Sequence, residues 1–289
     1  MFPDKFSFSD LTINFGKESQ CLDYLFQLKY GEVKACPKCG KAFNYSRVAE
    51  RRNYQCNHCN NVISPCAGTI FNKSETPLTS WFYAIFLFSV SKNGVSAMEM
   101  QRHIKVTYKT AWRMCNQIRK LFSDTPSKLS GTVEMDEAYL GGKESNKHES
   151  KKVGNLSTQG KTAVLGALER GGEVVARVVD DTTISSVVPF IRGKIAIGTT
   201  LNTDDYNSYS DVKYLGYNHK TVNHSSKEYV NGDNHTNTIE GFWSQLKRSI
   251  DGTYHMVSPK HLQAYVNEFA WRYNRRGRKS LFLVVLKEV

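Results

Sequence analysis

Apolar positions recur at helical spacing over residues 20–30 and 79–121, with short strands around Phe43, Tyr45, Val48 and Tyr54 between them, whereas beyond residue 130 strand-length blocks alternate with helices. Leu22, Leu25 and Phe26 share one face of a predicted short helix, Gln20 to Tyr30, with Ser19 as its N-cap. The apolar run Trp81 to Val90 predicts a buried helix over Thr79 to Ser91, broken by Lys92-Asn93-Gly94. That run is too short for a bilayer, which needs about 20 residues. Ser96 and Glu99 have capping-box spacing and open a helix through His103. Thr107 caps another, with Ala111, Met114, Cys115 and Ile118 on its apolar face. Two helices joined by a tight turn predict a helix-turn-helix that presents Tyr108, Lys109 and Arg113 to DNA. Plain helical packing without DNA contact fits the same pattern.

After the polar linker Asp124 to Ser130 the pattern changes. Gly131 to Leu140 reads as a strand, followed by a Lys-rich exposed loop over 143–152. Thr162 to Glu169 and Glu173 to Val179 form a hairpin around Arg170-Gly171-Gly172. Ser185 to Ile191 reads as helix, Thr199 to Thr203 as strand, and Thr238 to Ile250 and Pro259 to Tyr273 as helices. Antiparallel strands followed by alternating helix and strand predict an α/β fold, a mixed sheet with flanking helices. The expected domains are a ribbon with its preceding helix (18–72), a helical module (73–124) and a large α/β domain (128–289).

Charge and cysteines sharpen this. The 289 residues carry a net charge of +12, which favours a polyanionic partner, nucleic acid first. The opening MFPDKFSFSDLTINF has no continuous apolar core, so a cytoplasmic chain without membrane association is expected. Of seven cysteines, four form two C-x-x-C pairs, Cys36/Cys39 and Cys56/Cys59, sixteen residues apart. Such pairs each aim two thiolates at one point, and together they predict a structural zinc ribbon rather than a redox motif. His58 and Cys66 are nearby alternatives, but four cysteines already satisfy zinc.

Three acids stand out. Asp136 lies in an apolar strand, sharing a face with Thr132 and Glu134, where an unpaired carboxylate costs several kcal/mol. Asp204 ends the strand before Asp205-Tyr206, and strand ends are where α/β sheets bind ligands. In HTNTIEGFWSQLKRSI, Ile239, Phe242, Trp243, Leu246 and Ile250 fall on one helix face and Asn237, Glu240, Ser244 and Lys247 on the other. Carboxylates on two strands and a helix suit hard divalent cations, a pair of which can drive phosphodiester chemistry with Lys247 at a phosphate.

The segments VEMDEAYLGGKESNKH, KTAVLGALERGG, NTDDYNSY, VNHSSKEYV, HTNTIEGFWSQLKR and FAWRYNRR resemble the DDE transposases of bacterial insertion sequences. Thirty-five residues separate Asp204 from Glu240, and Lys247 lies seven further on. The resemblance is to the subgroup that joins an N-terminal zinc ribbon to a ribonuclease H-like catalytic domain. It implies Asp136, Asp204 and Glu240 as catalytic acids holding two Mg2+ or Mn2+ ions. It also implies cleavage at terminal inverted repeats of double-stranded DNA to free 3′ hydroxyls, joining of these to target DNA, and a homo-oligomer at the bacterial nucleoid. Some relatives carry Asn as third residue, which makes Asn237 an alternative to Glu240. Asp205 is the alternative to Asp204, and Glu134 and Glu137 are alternatives to Asp136. Arg272, Arg275 and Arg276, near Arg278 and Lys279, are expected at phosphates or at a solvated helix end. The competing functions are a domesticated, non-catalytic DNA-binding regulator, against which the intact acids argue, and a metal-dependent nuclease.

Overall fold

The computed structural model describes residues 6–122, 128–142, 148–151, 159–204, 207–209, 212–222, 235–278 and 280–289. Asp205, Lys279 and most of the Lys-rich loop lie outside the described residues. The chain divides into two units, residues 1–121 with 277–289, and residues 122–276. Among the described residues no helix is long and apolar enough to cross a membrane.

In the first unit, α1 (Phe8–Phe15) opens with a capping box in which Ser7 Oγ accepts the Asp10 amide and Asp10 accepts that of Ser7. α2 (Glu18–Tyr30) begins before the expected helix: Lys17 is the N-cap, and Ser19 lies within the first turn. Three short strands, β1 (Tyr45–Arg47), β2 (Tyr54–Cys56) and β3 (Val62–Ile63), form the antiparallel ribbon. Phe26 of α2 stacks on Tyr54 with centroids 3.9 Å apart, giving helix and ribbon a shared aromatic core.

α3 (Leu78–Val90) fully buries Trp81, Phe82, Ile85 and Phe88, as its unbroken apolar run requires. Ser96 Oγ caps α4 (Ala97–Ile104) through the Glu99 amide, and Thr107 Oγ1 caps α5 (Tyr108–Lys120) through that of Thr110. Lys105, in the left-handed region at φ 58°, makes the turn between them. The sequence runs the α/β domain to residue 289, but the terminal helix Leu281–Lys287 packs in this first unit. Its Phe282 stacks on Phe6 at 4.6 Å and meets Phe15 and Phe82, so its apolar partners are the N-terminal helices.

The second unit is built on a five-stranded sheet. β4 (Thr132–Leu140), β5 (Thr162–Glu169) and β6 (Val174–Val179) are antiparallel neighbours. The chain then crosses through α6 (Ile184–Lys194) to β7 (Thr200–Asp204), which pairs parallel to β4, and β8 (Asn218–Val222) adds parallel to β7. The order β6-β5-β4-β7-β8, mixed in this way with helices on both faces, is the ribonuclease H-like arrangement. One face packs Val133, Met135, Leu165, Ala167 and Leu201 against Val187, Phe190 and Ile191 of α6. The other packs Val164, Leu168, Val174 and Ala176 against α7 (Asn237–Ser249) and α8 (Pro259–Asn274). Burial of both faces explains why β5 reads as a nearly continuous apolar block rather than an alternating one. α7 passes directly into a π-helical turn, Ile250–Tyr254, which the sequence pattern did not announce.

Candidate active site

In the first unit, Sγ atoms of Cys36, Cys39, Cys56 and Cys59 all lie within 4.8 Å of one another. The separation of Cys36 and Cys59 is 3.8 Å, the tetrahedral edge expected for Zn–S bonds of about 2.3 Å. The Tyr45 hydroxyl lies 3.1 Å from Cys36 Sγ, beside the cluster. The donor set and its spacing fit a structural zinc.

In the second unit, β4 and β7 place two of the acids side by side. Val133 pairs with Leu201 and Glu134 with Asn202. Two residues further along each strand, Asp136 and Asp204 fall on the same sheet face as Glu134, the one that α7 covers. Burial pushes the Asp136 carboxyl up to about 6, and Asp204 and Glu240 raise it further while Lys247 opposes them. Asp136 therefore lies within electrostatic reach of all three other expected residues.

Glu240 is exposed, on the solvent side of α7, and its Oε1 accepts the Thr236 hydroxyl at 3.0 Å. Asn237 is exposed at the first residue of the same helix. Among the described residues, the cysteines alone form a group of three or more metal-ligating side chains within 4.8 Å.

The alternatives to Asp136 have other surroundings. Glu137 points to the opposite sheet face, where Tyr209 donates to its Oε2 at 2.7 Å; burial pushes it up to about 7. Glu134 is fully buried and caps α7. Its carboxylate accepts the amides of Thr238 at 2.8 Å and Ile239 at 3.0 Å, and the Thr238 hydroxyl at 2.9 Å. Arg170 Nε supplies the neutralising charge at 2.7 Å, and Arg170 Nη2 holds the His235 carbonyl at 2.8 Å. Glu134 is thus a helix clamp two residues before Asp136 on the same strand face.

Gly166 stands opposite Asp136 on β5. A Cβ there would come within 2.4 Å of Trp243 Cζ2 and 3.1 Å of Ile239 Cδ1, so the bare backbone lets α7 lie close against the sheet. Gly166, Arg170 and the capping role of Glu134 were not anticipated from sequence. A lone glycine inside the block TAVLGALE was the available signal for the first.

The expected DNA-contacting residues divide. Tyr108 and Lys109 are exposed at the start of α5, and Trp112, not anticipated, is exposed one turn later. Arg113 donates to Ser74 Oγ at 3.1 Å within its own unit. Arg272 must be corrected: it is buried and paired with the buried Glu268 at 2.7 Å, so its charge is spent inside the fold. Arg275 stacks over Trp271, and the exposed Arg276 bonds the carbonyls of Gly172 and Tyr273.

Residues 128–274 match the family described as an ISXO2-like transposase domain, and residues 16–62 match a transposase zinc-ribbon domain. The chain is 26% identical to the protein of transposable element ISH50 from Halobacterium salinarum, over 92% of this chain and 95% of that one. It is 27% identical to a transposase-like protein of Haemophilus influenzae, over 40% of this chain and 93% of that one. Among solved structures, the BIV integrase catalytic core aligns with a TM-score of 0.35 at 16% identity, covering 55% of this chain and 95% of that one. A pre-cleavage Mos1 transpososome aligns with a TM-score of 0.28 at 9% identity, covering 68% and 75%. The chain belongs to the ISXO2-like family of insertion-sequence DDE transposases, with a zinc ribbon ahead of the transposase domain.

Proposed function

We propose that this transposase cleaves the ends of its insertion sequence and joins them to target DNA with Mg2+ or Mn2+ held by Asp136, Asp204 and Glu240. The observation that carries the reading is the Asp136 carboxyl, half-buried on a core strand and loaded by two further acids with one lysine in opposition. Such a cluster is costly unless cations neutralise it, and carboxylate oxygens are the donors that hard divalent ions prefer. Two bound ions supply stabilisation of the attacking and leaving oxygens of an in-line phosphodiester displacement.

The chain's own residues do the rest. Asp136 and Asp204 would hold the ions from neighbouring strands, with Glu240 from α7. Lys247, two turns along the same helix, meets a DNA phosphate. Tyr108 and Lys109 of α5, with the zinc ribbon, hold the terminal inverted repeats. Arg275 adds charge at the end of α8. A homo-oligomer joins both ends, at the bacterial nucleoid in the cytoplasm.

The test is an end-cleavage assay on a duplex carrying the inverted repeat that flanks the gene. Magnesium is expected to yield a nick with a free 3′ hydroxyl at the repeat's edge and, with target plasmid added, a joined product; EDTA removes both. Repeat-specific binding with no magnesium-dependent nick would replace this reading with that of a DNA-binding regulator.

A further inference from the structure

The two C-x-x-C turns of the ribbon are built alike. The Cys36 amide bonds the Lys41 carbonyl and the Cys56 amide the Asn61 carbonyl, each at 2.8 Å. Gly40 and Asn60, at φ 68° and 59°, turn the chain back so that their amides reach the carbonyls of Cys36 and Cys56. A further contact falls on Cys36. Tyr45 of β1 pairs with Cys56 across the small sheet and sets its hydroxyl 3.1 Å from Cys36 Sγ. Asn61, just past the second turn, brings Nδ2 to 3.1 Å from the same hydroxyl. Phe43 packs on the Tyr45 ring, with centroids 4.6 Å apart.

The order of donors follows from the groups themselves. An amide nitrogen only donates, so the Tyr45 oxygen accepts from Asn61, and the single phenolic proton is left for the sulfur. A thiolate on a metal carries no proton and only accepts. Donation therefore runs from Asn61 to Tyr45 to Cys36. Four thiolates outweigh the charge of one zinc ion, and an excess of charge held away from water is costly. Cys36 is 2% exposed, so little water reaches it to offset that excess.

We propose that Tyr45, oriented by Asn61, is a positioning residue for the ribbon's metal: its hydroxyl donates to the Cys36 thiolate and keeps that ligand in place. The proposal rests on the zinc reading of the four cysteines. Donors that touch a ligand rather than the metal are commonly worth about 10–100-fold in metal affinity.

The full chain, loaded with zinc, is titrated with a chromogenic chelator. Tyr45→Phe keeps the ring against Phe43 and removes the proton; it is expected to weaken zinc binding about tenfold or more. Asn61→Asp puts an acceptor where the donor stood, draws the phenolic proton off the sulfur, and is expected to weaken zinc likewise. Asn61→Ala leaves Tyr45 free to donate and is expected to stay near wild type. In the cobalt-loaded protein, Tyr45→Phe and Asn61→Asp should both move the sulfur-to-cobalt charge-transfer band to longer wavelength, because a sulfur without its hydrogen bond gives up an electron more easily. Added to Tyr45→Phe, Asn61→Asp should cost little more, since no proton is left to divert. Full additivity would mean plain charge repulsion and overturns the relay. So does a Tyr45→Phe variant whose zinc affinity is unchanged or whose cobalt band stays where it was. A wild type that carries no zinc sinks the ribbon reading itself, and the relay with it.

Discussion

Glu134 takes the Thr238 amide and hydroxyl on its buried carboxylate, and so fastens the helix that carries Glu240 to the strand that carries Asp136. The first amides of a helix have no partner within it, and a carboxylate there also meets the positive end of the dipole. Removing one partner of such a buried network strands Arg170 and two amides. Glu134→Ala is expected to lower stability by about 3–5 kcal/mol. Glu134→Gln keeps the shape but loses the charge, and is expected to weaken magnesium binding and strand cleavage together. Glu240→Gln added to Glu134→Gln should then cost much less than it does alone, because the clamp acts through Glu240. Full additivity of the two would separate the clamp from the site.

The third acid is settled by a pair of variants. Asp136→Ala, Asp204→Ala and Glu240→Ala are each expected to reduce cleavage and joining by about a thousandfold or more, the scale of several kcal/mol of lost metal-borne stabilisation, with DNA binding retained. Asn237→Ala, at the exposed first residue of α7, is expected to keep most activity. Single-turnover cleavage of the repeat duplex measures all four. If Asn237→Ala is dead and Glu240→Ala active, the ligand is the amide one turn earlier.

In the metal-free protein, burial holds Asp136 at about 6 and Glu137 at about 7. The unfolded chain gives up the same protons near pH 4. Between about pH 4 and 7 the folded state thus holds more protons than the unfolded one, and stability from these groups falls as pH rises. Without added magnesium, Asp136→Asn is expected to gain Tm over wild type at pH 7.5 and to gain little at pH 4. Magnesium should raise the wild-type Tm more at pH 7.5 than at pH 5, since binding requires the ionised acid. A wild-type magnesium response independent of pH, followed by thermal melts, would contradict the placement of Asp136 in the ion site.

Much of this was legible in the residues. The C-x-x-C pairs announce their cluster because four soft ligands at that spacing have few other uses. β4 and β5 read as strands because their apolar blocks are too short for buried helices. The face of α7 followed from a 3.6-residue period. What escaped was tertiary in origin. Glu134 and Asp136 share one strand face in the sequence, and only the docking of α7 makes one a clamp and leaves the other to the acid cluster. Arg272 reads as a surface cation until Glu268, one turn back on α8, claims it. α1 was missed although Ser7 and Asp10 have capping-box spacing and Phe8, Leu11 and Phe15 recur at helical spacing behind them. The π turn after α7 has no signature that periodicity can detect.

Zinc removal separates the two units' tasks. Cys36→Ser is expected to lose about one zinc per chain and unfold the ribbon, because a structural zinc contributes folding energy directly. Repeat-specific binding should fall, while the magnesium-induced rise in Tm, which reports on the second unit, persists. Metal analysis and melts on the same sample check both. A zinc-free wild type would remove the ribbon assignment.

Gly166 offers the most exacting test of how close α7 must lie. A methyl at 166 would stand 2.4 Å from Trp243 Cζ2, and neither the strand nor an indole buried to 3% exposure can yield freely. Gly166→Ala is expected to cost about 1–3 kcal/mol of stability by overpacking. Because the displaced element carries Glu240, cleavage should fall further than the stability loss explains, by about a hundredfold if the shift approaches 1 Å. Trp243→Phe opens room at that contact, and it removes an indole N–H that is buried with no hydrogen-bond partner among the described residues. Alone it leaves a void and is expected to destabilise modestly. Combined with Gly166→Ala it should restore both Tm and cleavage toward wild type. Recovery of Tm without recovery of cleavage would mean that the spacing of α7 from the sheet does not set the position of Glu240.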